Sequence, residues 1–478
     1  MFRKLTLLFG LLALGVLAAC SQVDDGTTQA QGTKEKKVIL YGWGSPTPAA
    51  AKQKEQAFEN AFFDGATFRH SGAREVFTHQ ALPRGAFDQD IADLKALNSS
   101  KLADSFLRMQ VKADERWDWT SESDWQAFES NLRNYVRTAK EGGLEGILFD
   151  PEPYGFNIWN PETQPSKASF EALEGITKQR GADFIRILRE EYPGVTVFSL
   201  KLLSARLNFL NDNPSPAELR ARVKDDTTLG LWFGFVNGML NELDNKVTLV
   251  DGNQQAYRYF TAEQFDEGMK AIDTVLPQAF LDADNVHNIK KVRVANAVFV
   301  DGVLNLHKTP RYTGYYYNND GERQKQLEHN IYHSLRTSDD YAWLYVETGN
   351  WWQDDAPRAL EAATRRAQEK SNASAALGFD TAFTERAKNA YESRAQFGGK
   401  IKPNVPNMKF EVTGAPDFAC KATNNGSKYS CHIPAGTASV TITPIAEGVT
   451  FSPESRTYEN LSSNNKPEQA GKQDYSSR

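Results

Sequence analysis

Histidine is scarce in this chain, seven among 478 residues. No two stand as His-x-His, the pattern that metal-dependent hydrolase barrels display on their first strand. His329 and His333 lie four apart on a predicted helix, which is ligand spacing. Glu328 precedes the pair, however, and does not fall within it as the zinc-protease motif requires. A serine nucleophile elbow, a phosphate-cradling glycine loop and a dinucleotide fingerprint are all missing, so no metal and no cofactor is expected. Basic charge is lacking too: 55 Lys and Arg against 61 Asp and Glu leave a net charge of −6, which argues against nucleic acid as a partner. Past residue 19 no apolar run is long enough to cross a membrane, and no internal repeat occurs. Cysteine numbers only three.

The first twenty residues stand apart from the fold. Arg3 and Lys4 precede the apolar run Leu5 to Ala19, too short to span a bilayer comfortably and charged as an export signal is. The run ends Leu17-Ala18-Ala19-Cys20, which resembles the lipobox of bacterial lipoproteins. That resemblance implies cleavage before Cys20 and lipid attached to its thiol. The rest of the chain would then be held at a membrane of the bacterial cell envelope, facing outside the cytoplasm. With Cys20 set aside the cysteine count is even, and an exported chain sits where disulfides persist, so Cys420 and Cys431 are expected to pair. Residues 20–36 are polar and read as a flexible tether.

From residue 37 a rhythm sets in. Apolar runs of four to seven residues alternate with helical patterns, the habit of parallel β/α units. The strands fall at 38–43, 66–70, 105–111, 146–150, 195–200, 247–251, 294–301 and 341–347. Helical patterns follow each, among them 124–140, 169–192, 262–275, 322–335 and 357–369. Eight strands alternating with eight helices fit a (β/α)8 TIM barrel over residues 37–398. Leu229 to Leu240 reads either as a ninth strand or as a buried helix. After Gly398-Gly399 short strand-like runs separated by Gly, Asn and Pro predict a small all-β sandwich over 399–462. Within it Val449-Thr450-Phe451-Ser452-Pro453 resembles the closing strands of bacterial immunoglobulin-like accessory domains. Residues 463–478 are polar and expected to be disordered.

The barrel is organised around Gly146-Ile147-Leu148-Phe149-Asp150-Pro151-Glu152-Pro153-Tyr154, where an apolar run ends in two acids, two prolines and an aromatic ring. Residues two apart on a strand share a face, so Asp150 and Glu152 project together past the strand end, and the flanking prolines restrict the backbone of Glu152. Other strand ends carry Trp43, Arg69-His70, Asp251-Gly252-Asn253, Asp301-Gly302 and Glu347, the last followed by Trp351-Trp352. Barrel enzymes place their chemistry at that carboxyl-end rim. Nine Trp and seventeen Tyr suit flat, half-polar ligands such as sugars. Glycoside hydrolysis needs two carboxyl groups astride one bond. The best pair is Glu152 as general acid/base and Glu347 as nucleophile or base, with the Asp150 charge tuning Glu152 by raising one pKa of their pair. Trp43, His70, Tyr154, Asp251, Asn253, Asp301, Trp351 and Trp352 would position the substrate, with Arg69, Gln254 and Gln255 as further hydrogen-bonding groups. The run Tyr315-Tyr316-Tyr317 serves either sugar stacking or loop packing.

Asp150-Pro151-Glu152-Pro153-Tyr154 at the fourth strand, with Glu347 and Trp351-Trp352 at a late one, resembles glycoside hydrolase barrels, whose acid/base sits at the end of strand four. It is also similar to the chitinase-like branch, in which an Asp-x-Glu pair ends that strand and the substrate acetamido group can act as nucleophile. Gly146 and Leu148 stand where that branch carries two further acids, and the Asn-Glu pair of the commonest retaining barrels is missing. The resemblance implies hydrolysis of a poly- or oligosaccharide and leaves the sugar open. A non-catalytic surface lipoprotein that binds glycan through the same rim is the alternative.

Overall fold

The structure, a computed structural model, describes residues 35–478 except 73–74, 211–213, 308, 424, 460 and 462–473. The export signal, Cys20, most of the tether and the first part of the polar tail lie outside the described residues.

Nine parallel strands form the main sheet: β1 Lys37–Gly42, β2 Gly65–Phe68, β3 Phe106–Val111, β4 Gly146–Pro153, β5 Val195–Ser199, β6 Val247–Asp251, β7 Val292–Val294, β8 Asn296–Phe299 and β9 Tyr341–Val346. Their order is β7-β6-β5-β4-β3-β2-β1-β9-β8. The two ends of this sheet are one stretch of chain, interrupted only at Ala295. Its first half pairs with β6, Val294 opposite Asp251, and its second half with β9, Asn296 opposite Ala342. The sheet therefore closes on itself through a split strand, and the nine segments occupy the eight positions of a (β/α)8 barrel.

Side-chain alternation separates two apolar layers, as strand geometry requires. Ile39, Tyr41, Phe106, Leu148, Phe198, Val250, Tyr341 and Trp343 fill the barrel interior. Val38, Leu40, Leu107, Met109, Ile147, Phe149, Val197 and Leu249 face outward into the larger core beneath the helices. Strands buried on both faces read as continuous apolar runs, which is why all eight positions were visible in the sequence.

Ser121 and Ser169 cap the long helices Glu122–Glu141 and Phe170–Glu191, each accepting from a backbone N–H three residues on, at 3.2 Å. The ambiguous stretch is helical, Trp232–Glu242. It lies so close on Phe170–Glu191 that a Cβ on Gly238 would stand 1.8 Å from the Lys178 carbonyl oxygen, and one on Gly181 2.0 Å from that of Phe235.

Past the barrel, β10 Ala395–Lys402, β11 Lys409–Thr413, β12 Cys420–Thr423, β13 Lys428–Ile433, β14 Ser439–Ile445, β15 Phe451–Ser452, β16 Arg456–Glu459 and β17 Tyr475–Ser477 make a five-stranded and a three-stranded sheet around one apolar core. Cys420 and Cys431 face each other across β12 and β13 and are bonded. Two expectations need correction. Gly398-Gly399 is not a boundary; it lies inside β10, which begins three residues earlier and pairs with β13 through Ala395 opposite Ile433. The last residues are not disordered: β17 pairs with β10 and β15, and the buried Tyr475 donates to the Ile442 carbonyl oxygen at 3.0 Å.

Candidate active site

The inward positions of β4 are Leu148, Asp150 and Glu152, so the two acids follow the barrel core directly into its carboxyl-end mouth. Asp150 is fully buried. Its Oδ2 accepts from the Tyr154 hydroxyl at 2.8 Å and the Tyr41 hydroxyl at 3.2 Å, and its Oδ1 from the Glu152 backbone N–H at 3.1 Å. Glu152 holds the Lys201 ammonium at 2.6 Å through Oε1, while Oε2 lies 3.2 Å from the same Tyr154 hydroxyl. One hydroxyl carries one proton and serves only one of the two carboxyl groups at a time. Tyr154 thus stands as a switch between them.

The environments split the pair. Burial, and then the neighbouring Glu152 charge, push the Asp150 carboxyl above the usual carboxylate range. Burial also pushes Glu152 up, but the Lys201 charge and hydrogen bond, with further hydrogen bonds from Gln254 and Tyr154, outweigh it and hold Glu152 below that range. The carboxyl pushed up is thus Asp150 and not the expected acid Glu152, because Lys201 reaches Glu152 from the end of β5.

Aromatic rings floor the mouth. Tyr41 lies 5.5 Å from Tyr345 and 5.7 Å from Trp343, and Tyr257 stacks on Tyr345 at 5.4 Å. Trp43 is 46% exposed and meets Tyr154 edge-on at 5.5 Å, the only Trp of the sequence-selected set open to a ligand stacked beside the acids. Glu347 sits one residue past the end of β9, its Oε2 3.3 Å from His307 Nε2. Tyr345 lies two residues before Glu347 and 5.5 Å from Tyr41, whose hydroxyl donates to Asp150, so the aromatic floor links the two acid centres.

The other selected residues face the protein. Asp301 is fully buried and accepts the Glu347 and Thr348 backbone N–H groups at 2.8 and 2.7 Å, which fixes the loop that carries Glu347. Asp251 is likewise buried and takes the Ser204 and Asn253 backbone N–H groups at 2.9 and 3.1 Å. Asn253 adopts the left-handed conformation, φ 38°, and donates to Asn296 at 2.7 Å. These three side chains hold the rim together instead of lining it. His70 is buried between Phe87 and Tyr135, 4.1 Å from each, with Nδ1 2.9 Å from Asp90; it supports the floor of the cleft beside Trp43. Trp351 packs on Phe63 at 4.9 Å and Trp352 on Phe58 at 5.3 Å, so both belong chiefly to the packing outside the barrel. Tyr315, Tyr316 and Tyr317 are buried against Phe260, Phe383 and Ala387 and serve packing.

Sequence reasoning missed Lys201, Tyr41 as an acid partner, and His307. Lys201 follows an apolar strand end as the acids do, and a rule that admits bases at strand ends would have found it. His307 follows no strand directly and left no local signal.

No protein-family model and no curated protein matches this chain. Among solved structures it is similar to a glycoside hydrolase family 5 enzyme from Prevotella bryantii B14, 10% identical over 71% of this chain and 98% of that one, with a TM-score of 0.37. A Bacteroidetes-affiliated family 5 cellulase linked with a polysaccharide utilization locus matches at 11% identity, 75% of this chain, 96% of that one and a TM-score of 0.36. Endonuclease IV from Thermus thermophilus matches at 13% identity, 71% of this chain, all of that one and a TM-score of 0.33. Likeness this loose, spread over unrelated chemistries, bears no weight on function.

Proposed function

We propose that this protein is a glycoside hydrolase of the bacterial cell envelope, lipid-anchored through Cys20 and facing outside the cytoplasm, which acts on a poly- or oligosaccharide at the mouth of its barrel. The observation that carries the reading is the pair of carboxyl groups driven apart in pKa and joined by one tyrosine hydroxyl. Titratable neighbours whose environments separate them mark acid and base assignments. In the resting site Asp150 is the harder of the two to ionise, and Lys201 holds Glu152 as the carboxylate. As a glycosidic oxygen approaches Glu152 and Lys201 yields, the acid pair takes up one proton from solvent, which the Tyr154 hydroxyl between the two carboxyl groups can relay to Glu152. Glu152 then protonates the leaving oxygen, and the water that completes hydrolysis returns a proton to the pair. Glu347, oriented by His307 and by the Asp301-anchored loop, is the nucleophile or base on the opposite side of the aromatic floor. The small C-terminal sheets would act as an immunoglobulin-like accessory domain.

Purified protein, assayed for reducing ends on a panel of poly- and oligosaccharides, is expected to cleave at least one of them. Glu152→Gln should lower that rate by roughly 10²–10⁴-fold with binding retained. A wild-type protein that releases nothing, yet binds a glycan equally well with or without Glu152, would overturn the hydrolase reading in favour of a non-catalytic glycan-binding lipoprotein.

A further inference from the structure

Beside the acid centre, between the ends of β1, β2 and β3, opens a cleft of about 400 Å³ lined by Trp43, Arg69, Arg108, Gln110, Lys112 and Tyr154, with Glu75 the acid among its walls. Its charge differs from that of the acid centre. Glu75 is engaged with Lys112 at 3.7 Å. Arg69 donates through Nε to the Ser45 carbonyl oxygen at 3.1 Å, and Arg108 through Nη1 to that of Gly42 at 3.4 Å. Among the described residues neither guanidinium meets a carboxylate within ion-pair distance, although ion pairs are plentiful elsewhere on the chain. Arg108 and Gln110 share a face of β3, and Lys112, past the irregularity at Gln110 and Val111, lines the same cleft, so the three present a row of donors to one space. The Gln110 Nε2 in that row is buried without a hydrogen-bond partner.

Trp43 joins the row to the acid centre, its ring 5.5 Å from that of Tyr154 and 5.8 Å from the Arg108 guanidinium. A sugar ring lying on Trp43 would therefore be within reach of both the Asp150–Tyr154–Glu152 group and the cations. A neutral sugar would offer the two guanidiniums only hydroxyl acceptors and leave their charge uncompensated once water is displaced. An anionic substituent would satisfy them, and guanidinium is the cation best shaped for planar or tetrahedral oxyanions. The negative charge of Glu152 is already met by Lys201, so it does not oppose such a group.

We infer that this cleft is a subsite for an acidic sugar, one bearing a carboxylate or an oxyanion ester, next to the bond the acid centre would cleave. The inference rests on the glycoside hydrolase reading and deepens it. The test is calorimetric binding and product release on the full chain, with oligogalacturonates, sulfated oligosaccharides and neutral cello-oligosaccharides of equal length. The acidic series should bind roughly tenfold or more tightly than the neutral one, the factor expected of a charge-assisted hydrogen bond. The preference should shrink as salt rises. Which acidic series wins identifies the substituent. Arg108→Gln should bring the ratio of acidic to neutral affinity close to one. Arg69→Gln, at an exposed position, should do the same in part and decides the matter if the first variant fails to fold. Equal handling of neutral and acidic glycans by the wild type overturns this inference and leaves the hydrolase reading standing. Failure to bind or cleave any glycan overturns both.

Discussion

The chemistry at the residue scale turns on Lys201. A carboxyl buried at a barrel mouth is pushed up in pKa by the loss of water, and Asp150 shows that outcome. Glu152, two residues on, goes the other way because an ammonium group lies 2.6 Å away. Its folded value below the unfolded one means that Glu152 contributes stability above its unfolded pKa, which is lost as pH falls through the lower, folded value. Lys201→Met removes the opposing charge and leaves burial in command. The Glu152 carboxyl should then titrate at higher pH, followed by carboxyl-carbon NMR, and the alkaline limb of the pH–rate profile, which reports the general acid, should move upward with it. A titration curve identical to the wild type would show that Lys201 does not set the ionisation of Glu152. The buried Asp251 and Asp301 carry different work: each binds two backbone N–H groups, so their carboxyl oxygens serve to fix loops.

Among the elements, the helices Phe170–Glu191 and Trp232–Glu242 show how a local pattern can mislead. Trp232 to Leu240 is apolar on nearly every side and is buried throughout, so it lacks the amphipathic stripe by which helices are recognised. Gly234 and Gly238 lie four apart, on the side turned to the neighbouring helix. There a Cβ at Gly238 would meet backbone, not a movable side chain. Gly238→Ala should therefore force the two helices apart and destabilise the protein by about 1–3 kcal/mol, read from the urea midpoint with an unchanged slope. An unchanged midpoint would mean that the helices separate without loss. The split strand is a second tertiary feature of this kind. A single run of sequence, 292–299, supplies two hydrogen-bonded segments because β6 and β9 approach it at different heights, and no periodicity distinguishes its halves.

For the whole molecule, the barrel and the C-terminal sheets meet through Phe418 on Tyr315 at 5.1 Å and Arg394 on His432 at 3.2 Å. The tyrosine run after β8 thus serves in part to receive the second set of sheets. Among the described residues no helix is long and apolar enough to cross a membrane, and the attachment proposed here rests on Cys20. In the native host, Cys20→Ala should move the protein out of the membrane fraction, while its barrel keeps the wild-type rate on soluble glycan. Continued sedimentation with membranes after carbonate washing would exclude a lipid at Cys20 as the anchor.

Chain composition and pattern by themselves determined the eight barrel positions, the acids at the end of β4, and the pairing of Cys420 with Cys431. Buried parallel strands must be apolar without interruption, so where polarity begins, the strand has reached its open end. Tertiary structure alone decided which acids face a ligand. Asp150 and Glu152 look alike in the sequence, as do Asp251, Asp301 and Glu347. They differ only in what folding brings against them: Lys201 and Tyr154 at one end of the mouth, backbone N–H groups beneath it, and His307 across it. The two guanidiniums beside Trp43 that meet no carboxylate among the described residues became visible for the same reason, since an arginine's partner is set by neighbours far away in the chain.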